Sequence, residues 1–562
     1  MQAYESYIAD LQKTFAAGKA TEHSYRGFLQ TFLSSLLSSD FAITNEPKRI
    51  DCGAPDYIVE KKGVPAGYIE AKDIGRLGSL NKTEKDQLER YTSALDNLIY
   101  TDYLTFQFYR KKELVAEVQI AHIDKDQIVP NTKEVEHFLS LFSNFLTYQS
   151  QTIGHAKTLA EMMARKARLL KEVFANILKE DRTSSLYRQY EAFEQVLIHN
   201  ISANDFADIY AETLAYGLFT ARLHDPTLET FSRQEAYELI PKSNPFLREL
   251  FTYVATDLDD RAKWIVDDLC DVFLATDIAK MLETFNRGSG RVDPFIHFYE
   301  TFLALYDPNR RKSRGVWYTP ESVVQFIVRG VDDVLKTHFK LPKGLADTSK
   351  TTITVPEKTA DKRVKSGYVD VEKEVHRVQV LDVATGTGTF LAEVINKIHE
   401  KYANQQGMWS SYVEEHLIPR VNGFELLMAS YAMCHMKLDL LLTETGYTPK
   451  TKNPPRLNVY LTNSLEKAHE EMDKLPLIEW FSRESNEASR IKKQSPIMVA
   501  IGNPPYSGIS SNMGDDLIVD IDDYKYVDGV HFGERKHWLH DDYVKFIRFG
   551  EHFIEKNGEG VL

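Results

Sequence analysis

The amino-acid sequence predicts a multidomain α/β protein, because the spacing of its apolar residues changes twice along 562 residues. Residues 1–140 contain helical patterns and then strand-like alternation, which predicts a small domain with a mixed sheet. Residues 141–309 keep a helical period, which predicts an all-α region. Residues 310–562 contain short apolar runs that lead into turns and helices, as in a Rossmann-like sheet.

Composition narrows the class of protein further. The apolar and charged fractions, 43% and 27%, are ordinary for a globular protein. A net charge of -14 argues against diffuse affinity for nucleic acid, so any DNA contact must come from local basic surface. There is no long apolar run and no signal-like N-terminus, which predicts a cytoplasmic protein without a membrane partner. Cys52, Cys270 and Cys434 are too scattered for a zinc site and are expected to be reduced and mostly buried.

A predicted hairpin near the N-terminus carries candidate catalytic residues. Its return strand, residues 67–72, has a period of two that places Glu70 and Lys72 on one face. Asp56 precedes the first strand, so two carboxylates and an ammonium converge. Asp56 and Glu70 can hold Mg²⁺ with several waters retained, while Lys72 orients or helps deprotonate the attacking water beside the scissile phosphate. The alternative is a surface hairpin in which a Glu and a Lys stand two apart.

The helical middle is predicted to couple two active sites at a fixed distance. Its long helix carries several basic residues. They either contact DNA phosphates or form a solvated face, and the solvated face is the preferred interpretation. These bases are Lys157, Arg165, Lys166, Arg168 and Lys171.

A glycine-rich turn marks the start of the predicted Rossmann-like region. Residues 378–390 are predicted to form a buried strand, a turn and the first residues of a helix. Gly386 and Gly388 allow close approach of a ligand, and the helix N-terminus favours an anionic group. Glu425 ends the second strand as an acid able to bind both ribose hydroxyls, and Asn463 follows the third. A nicotinamide dinucleotide site is the rival, but the third glycine of that fingerprint is missing.

The stretch Ile501-Gly502-Asn503-Pro504-Pro505-Tyr506 follows an apolar run and suits a flipped-out adenine. The amide oxygen of Asn503 and the carbonyl of Pro504 can accept hydrogen bonds from an exocyclic amine, and Tyr506 can stack on the ring. The alternative is a strand followed by a proline-stiffened loop. A second Asn-Pro-Pro at residues 453–455 has no such surroundings and is predicted to be a loop.

The N-terminal residues resemble the PD-(D/E)xK nuclease core, with Asp56 and then Glu70 and Lys72 in its pattern. Gln87 and Tyr91 are similar to the Gln-x-x-x-Tyr element of some of these nucleases, and Glu22 stands in the place of their helical acid. The resemblance implies Mg²⁺, bound by Asp56 and Glu70, for phosphodiester cleavage.

Residues 313–562 resemble the gamma class of N6-adenine DNA methyltransferases, which implies S-adenosylmethionine as cofactor. Asn503, Pro504, Pro505 and Tyr506 then form the catalytic motif. The segment Trp317-Tyr318-Thr319-Pro320 looks like the one that closes over the methionine part of the cofactor. The implied cofactor-binding residues are Trp317, Tyr318, Thr319, Pro320, Asp382, Ala384, Thr385, Gly386, Gly388, Phe390, Glu425 and Asn463.

As a whole, the chain resembles single-polypeptide restriction-modification enzymes of types IIG and ISP. It lacks the G-x-x-x-x-G-K-[ST] loop of a helicase motor, which favours the motorless arrangement. The resemblance implies double-stranded DNA as partner, methylation of adenine N6 and cleavage of unmodified DNA. The methyltransferase-like region is expected to be C-terminally incomplete, with target recognition in a C-terminal or separate module.

Two further hypotheses stay open on the sequence. One is a methyltransferase of a phage-defence system whose nuclease-like domain only binds DNA. The other is a cofactor-bound sensor without turnover.

Overall fold

The computed structural model of the chain is a mixed α/β structure that separates into two compact units. The first comprises Met1–Asn176, Asp225–Arg233 and Leu258–Arg287, and the second Ile177–His224, Gln234–Asp257 and Gly288–Leu562. The structure describes residues 2–18, 22–45, 55–61, 64–146, 156–198, 201–224, 230–240, 245–278, 294–307, 319–359, 363–365, 367–451, 454–468, 479–505, 517–531, 533 and 537–562.

The first unit is built on a six-stranded mixed sheet in the order β1-β2-β3-β4-β5-β6. Strands β3 and β4 are parallel and every other neighbouring pair is antiparallel. The predicted hairpin is confirmed as β2 and β3, and the strands that the sequence pattern predicts at residues 103–108 and 114–120 are confirmed as β5 and β6. Sequence analysis missed β1 and β4. The strands are β1 Phe41–Asn45, β2 Tyr57–Lys61, β3 Val64–Ala71, β4 Asn97–Thr101, β5 Thr105–Arg110 and β6 Glu113–Gln119.

Aromatic side chains fill the core of this unit. Helices α1 Gln2–Ala16, α2 Glu22–Ser34, α3 Lys82–Ala94 and α4 Val135–Leu146 accompany the sheet, together with the small pair β7 Ala121–Asp124 and β8 Gln127–Pro130. The ring of Phe32 stacks on Tyr7 at 4.6 Å and on Phe138 at 5.7 Å. The buried hydroxyl of Tyr7 donates to the carbonyl of Tyr103 at 2.9 Å, so helix α1 is fixed to the chain beside β5 by both packing and a hydrogen bond.

The predicted helical middle is helical throughout its described residues. Both units contain parts of it, so the boundaries near residues 140 and 309 stay a prediction. Its helices are α5 Ala156–Glu180, α6 Ser185–Val196, α7 Ala203–His224, α8 Arg233–Leu239, α9 Pro245–Thr256, α10 Asp260–Leu274 and α11 Pro294–Tyr306.

The preferred interpretation of the basic residues on α5 as a solvated face is wrong for Lys166. Its side chain is buried and forms an ion pair with Asp268, which also accepts from the Tyr68 hydroxyl. Arg165 pairs with Asp96 at 2.6 Å. These cations neutralise acids of the same unit, so charge on a helix is a poor guide to exposure when an acid lies opposite.

The second unit is organised around a parallel four-stranded sheet in the order β13-β12-β11-β14. The strands predicted in this region are confirmed as β11 Gln379–Asp382, β12 Val421–Glu425, β13 Asn458–Leu461 and β14 Ile497–Ile501. Val561 adds a parallel bridge to Val499. An antiparallel hairpin, β9 Lys350–Lys358 and β10 Tyr368–His376, was not predicted.

The sequence also predicts a helix that starts at Asp541-Asp542 and stops at Asn557-Gly558, and the structure confirms it as α17. Helix α17 begins after Asp541, whose side chain accepts from the Tyr543 amide at 3.1 Å, and ends at Gly558 with φ 81°. The other helices are α12 Glu321–Thr337, α13 Thr389–His399, α14 Gln406–Tyr412, α15 Met428–Glu444 and α16 Glu479–Gln494, with α17 spanning Asp542–Asn557. Short strands β15 Tyr526–Val527 and β16 Val530–His531 form a separate pair.

The described residues also bear on the expectations for membranes and cysteines. In this part of the chain no helix combines the length and apolar character that crossing a membrane requires. Cys270 and Cys434 are buried free thiols, as expected, and Cys52 lies outside the described residues.

Replacing Gly67 with alanine should destabilise the first unit. A Cβ there would lie 2.6 Å from Cε2 of the Phe145 ring and 2.8 Å from the amide nitrogen of Asn97, which is fixed by hydrogen bonds to two carbonyls. We expect the free energy of unfolding to fall by about 1–3 kcal/mol, because the neighbours cannot move apart without loss of packing. Denaturant unfolding followed by circular dichroism measures this.

The control for that substitution is Gly27→Ala in α2, where a Cβ meets no heavy atom within 4 Å. There the expected change is a gain of about 0.5–1 kcal/mol, since alanine favours the helix. Equal stability of the Gly67→Ala protein and wild type would contradict the tight packing of β3.

Candidate functional site

The carboxyl ends of four neighbouring strands in the second unit bring the predicted binding residues together. Asp382, the last residue of β11, is in register with Gly423 of β12 and with Ile501 of β14. Glu425 ends β12 in register with Leu461 of β13. The turns that follow these strands therefore leave the sheet at a common edge, where open α/β sheets bind ligands.

The glycine turn after β11 adopts a conformation that side chains disfavour. Gly386 and Gly388 have φ of 56° and 80°, and Gly388 directly precedes helix α13. A Cβ on Gly388 would lie 2.6 Å from the sulfur of Cys434, so glycine is also needed for packing against α15. The Gly386 amide donates to Glu425 Oε2 at 2.7 Å. The turn and the end of β12 are thus joined directly.

Two buried carboxylates, Asp382 and Glu425, dominate the electrostatics of this edge. Asp382 is 0% exposed, and burial together with the charge of Glu425 raises its pKa to about 8. Its Oδ1 accepts from the Ala384 amide at 3.2 Å, whereas Oδ2 has no hydrogen-bond partner among the described residues. Burial also raises the pKa of Glu425, against lowering hydrogen bonds from the backbone amides of Leu427, Gly386 and Leu426. A cationic group bound at this edge would lie beside two carboxyl groups that can carry the opposite charge.

The segment after β14 lies beside Asp382. Gly502 has φ 150°, and a Cβ there would come within 2.9 Å of Asp382 Oδ1, so only glycine lets the chain pass this carboxylate. The exposed Asn503 donates from Nδ2 to the hydroxyl of Thr319 at 3.0 Å, and Pro320 is the N-cap of α12. The structure therefore brings the predicted segments at residues 319–320 and 503–505 together.

The remaining predicted residues of this edge are distributed around it. Asn463 is buried; its Oδ1 accepts from the Leu465 amide at 3.2 Å and its Nδ2 donates to Glu466 at 3.1 Å. Thr385 binds the Phe424 carbonyl, and Phe390 is buried in α13. Trp317, Tyr318 and Tyr506 lie outside the described residues.

Sequence analysis missed two residues that hold this edge in place. The hydroxyl of Ser464 donates to the carbonyl of Val383 at 2.7 Å, which connects the turns after β13 and β11. Lys492 of α16 donates to the carbonyl of Asn463 at 2.6 Å. Their sequence signals are weak, because neither a serine after a strand nor a lysine in a helix marks a binding site.

In the first unit, the structure brings together four of the predicted nuclease-like residues. Lys72 Nζ donates to Glu70 Oε1 at 2.6 Å and to Gln87 Oε1 at 2.8 Å. Gln87 in turn donates to Glu70 Oε1 at 3.0 Å and to the Tyr91 hydroxyl at 3.4 Å. Glu70 and Lys72 share a face of the strand, as the period of two predicts, and both are buried. Helix α3 thereby sets the position of the lysine ammonium.

Asp56 lies beside the same strand and is paired with a residue that sequence analysis missed. Its Oδ2 accepts from the Ala71 amide at 2.8 Å, and its Oδ1 forms an ion pair with Arg26. Arg26 lies one helical turn after Glu22, the first residue of α2, and that spacing is the signal that would have found it. Each carboxylate of this site therefore has a cationic partner.

The donor set of this site meets the minimum for a hard divalent cation. Within the described ranges, no three His, Cys, Asp or Glu side chains cluster so as to suit a metal ion. Two carboxylates are nevertheless enough for Mg²⁺ when waters and substrate phosphates supply its other ligands. Asp56 and Glu70 fit that role once Arg26 turns away from Asp56.

Comparison with known proteins identifies distant structural similarity alone. No protein-family model matches the chain, and no curated protein matches it. A cryo-EM structure of a DrdV-DNA complex matches 99% of this chain and 49% of its own, at 18% identity and a TM-score of 0.46. A nuclease-deletion mutant of the type ISP restriction-modification enzyme LlaGI, bound to a DNA substrate mimic, matches 76% and 31%, at 17% identity and 0.48. The type ISP enzyme LlaBIII bound to DNA matches 76% and 26%, at 17% identity and 0.46.

These matches do not decide the activity of this chain. The chain spans about half the length of DrdV and less than a third of LlaGI or LlaBIII.

The substitution Asp382→Asn should change how stability depends on pH. With a folded pKa of about 8 against an ordinary 3.8, wild-type Asp382 gives stability that is full below pH 4 and is lost as the pH rises through 8. Asparagine does not ionise, so the melting temperature of the variant should rise relative to wild type between pH 5 and pH 9. Each pKa unit is worth about 1.4 kcal/mol.

Differential scanning fluorimetry without ligand measures this difference. The control is Asp370→Asn, since Asp370 is exposed on β10 and should give a difference from wild type that does not vary with pH. A difference for Asp382→Asn that is equally flat would show that the Asp382 carboxyl does not titrate in this range.

Proposed function

We propose that this chain is a restriction-modification enzyme that methylates adenine N6 in DNA with S-adenosylmethionine and cleaves unmodified DNA with a Mg²⁺-dependent nuclease site. One observation carries the methyltransferase part. Strands β11 and β14 are parallel neighbours in register, so the glycine turn after Asp382 and the Asn503-Pro504-Pro505 segment emerge side by side. A methyl donor and its acceptor base need such adjacent sites.

The chemistry of the sheet edge suits S-adenosylmethionine. When bound, this cofactor supplies a methyl group on a sulfonium, beside an ammonium and an adenosine. Asp382 and Glu425 offer carboxylates to the ammonium and to the ribose hydroxyls, and Gly386 and Gly388 allow the close approach of a ligand. Binding of a cation beside Asp382 would favour its charged form and lower its pKa.

Asn503 and Pro504 would bind the target amine. Because Asn503 donates from Nδ2 to Thr319, its Oδ1 is left to accept, and the carbonyl of Pro504 is the second acceptor. Hydrogen bonds from the adenine amine to these two oxygens draw its lone pair out of conjugation with the ring. Tyr506 would stack on the flipped base. Methyl transfer would form a bond from the amine nitrogen to the methyl carbon as the methyl–sulfur bond breaks, leaving S-adenosylhomocysteine, and the amine would release a proton to solvent.

The cleavage reaction is assigned to the first unit. Asp56 and Glu70 would hold Mg²⁺, whose role is to neutralise charge on the scissile phosphate. Lys72 would orient the attacking water, since Gln87 and Glu70 hold its ammonium between them.

A second candidate for the first unit is DNA binding without cleavage. The ion pairs of Arg26 with Asp56 and of Lys72 with Glu70 balance each carboxylate with a cation. A site that is already electrically balanced has less need of a metal, which favours this candidate. In that case only the methyltransferase reaction takes place.

Changing Asn503 to alanine should lower methyl transfer about 100-fold or more, because an acceptor for the developing charge is lost. Transfer of tritiated methyl from labelled cofactor into DNA measures the rate. Binding of S-adenosylhomocysteine should stay within about twofold of wild type, since Asn503 faces the base. Asn396→Ala, exposed on α13, is the control. Wild-type methylation by the Asn503→Ala protein would refute the assignment.

Changing Lys72 to alanine should abolish Mg²⁺-dependent nicking of unmethylated plasmid while methylation continues. Agarose gels of supercoiled DNA with Mg²⁺ or with EDTA give the readout. Lys85→Ala, which removes an exposed lysine of α3, is the matched control and should nick like wild type. If wild type binds DNA and never nicks it, the binding-only candidate replaces the nuclease.

A further inference from the structure

Lys492, on helix α16, is a buried lysine whose ammonium binds the turn after β13. Only 4% of its surface is exposed. Its Nζ donates to the carbonyls of Asn463 at 2.6 Å and Glu466 at 2.9 Å, and it lies 3.4 Å from the hydroxyl of Thr462. All three contacts fall on the five residues 462–466 that follow the strand.

Placing an ammonium there is energetically costly, so its contacts must offset the cost. Burial lowers the pKa of Lys492 to about 7, against the opposing charge of Glu466. The Phe424 ring lies 5.6 Å from Nζ and gives a weak favourable contact. A leucine or methionine would fill the same space without this penalty, so packing alone does not account for a lysine.

The same helix also holds the strand that leads into the turn. Glu484, two turns earlier on α16, accepts from the Leu461 amide at 3.0 Å and pairs with Arg456 at 2.5 Å. Helix α16 therefore fixes the last residue of β13 through the carboxylate of Glu484. It fixes the turn that follows through the ammonium of Lys492. Within that turn, the Asn463 side chain is held by Leu465 and Glu466.

We propose that Lys492 is a positioning residue for the adenine end of the cofactor site. It holds the 462–466 turn so that Asn463 lies where the adenine ring binds. The inference rests on the proposed use of S-adenosylmethionine and adds a residue from outside the sheet edge. Lys492 does not touch the cofactor; its effect passes through the backbone of the turn.

The test compares two ligands in the full-length chain by isothermal titration calorimetry. S-adenosylhomocysteine carries the adenine amine, and S-inosylhomocysteine carries a carbonyl in its place. Lys492→Met should weaken binding of the first about 10- to 100-fold, as expected for the loss of hydrogen bonds from a charged donor. Binding of the second should change much less. The preference of wild type for adenine over hypoxanthine should therefore shrink.

Lys493→Met is the matched control, because Lys493 is the next residue and is exposed. It removes the same charge and should leave both affinities unchanged. If Lys492→Met does not fold, Lys492→Gln keeps an amide donor and should give a smaller loss in the same direction.

Each result separates the inference from the function on which it rests. Wild type that binds neither ligand refutes the proposed cofactor and the inference with it. Wild type that binds, with Lys492→Met equal to Lys493→Met, refutes only the positioning role. An equal loss for both ligands, together with a lower melting temperature, would reduce Lys492 to general support of the fold.

The pH dependence gives a second readout. The charged groups that face Lys492 are Glu466 in the turn and Lys556 of α17, whose Nζ donates to the carbonyls of Lys492 and Lys493. As the pH rises through 7, the amine loses a proton and has two N–H groups for three acceptors. The affinity advantage of wild type over Lys492→Met should therefore decrease between pH 6 and pH 9. A constant advantage would contradict the role of the ammonium.

Discussion

The parallel pairing of β11 with β14 is the constraint on which the candidate methyltransferase site depends. Asp382 and Ile501 are in register, so the turn after each strand begins at the same height. A shift of one residue would turn the Asp382 side chain to the opposite face and move Asn503 along the edge. Burial holds this register, because every residue of β11 and β14 is buried and a slip would turn each side chain to the other face. Gly502 also permits this arrangement, because a residue with a Cβ would collide with the Asp382 carboxylate.

The sequence predicted the parts of this arrangement that are local. Apolar runs identified the four parallel strands, the glycine pattern identified the turn before α13, and the Asp541 and Gly558 signals bounded α17. The hairpin of β2 and β3, with Glu70 and Lys72 on one face, followed from a period of two. Strand β4 was not predicted, because Asn97–Thr101 is buried at every residue and shows no alternation of buried and exposed side chains. The hairpin of β9 and β10, which is inserted between α12 and β11, was not predicted either.

The residues that the sequence did not reveal are those whose role depends on a distant partner. In the sequence, Lys166 and Lys492 look like ordinary lysines of a helix surface, yet both are buried. Lys166 pairs with an acid, and Lys492 binds backbone carbonyls. Lys492 does fall at the spacing of the buried face of α16, eight residues after Glu484 and four after Ala488. A charged residue at such a position implies a partner, but the sequence does not say which turn supplies it.

The two candidate sites differ in how their charges are balanced, and this difference bears on what each can bind. In the first unit, Arg26 and Lys72 neutralise Asp56 and Glu70, so a divalent cation must displace at least one ion pair before it binds. In the second unit, neither Asp382 nor Glu425 forms an ion pair within the described part of the chain, and both have raised pKa values. A cationic ligand there gains the charge of the carboxylates without displacing a protein group, and only the protons must leave. Binding at the second site should therefore strengthen as the pH rises through the pKa of Asp382. Binding of a metal at the first site should depend mainly on the strength of the Arg26 ion pair.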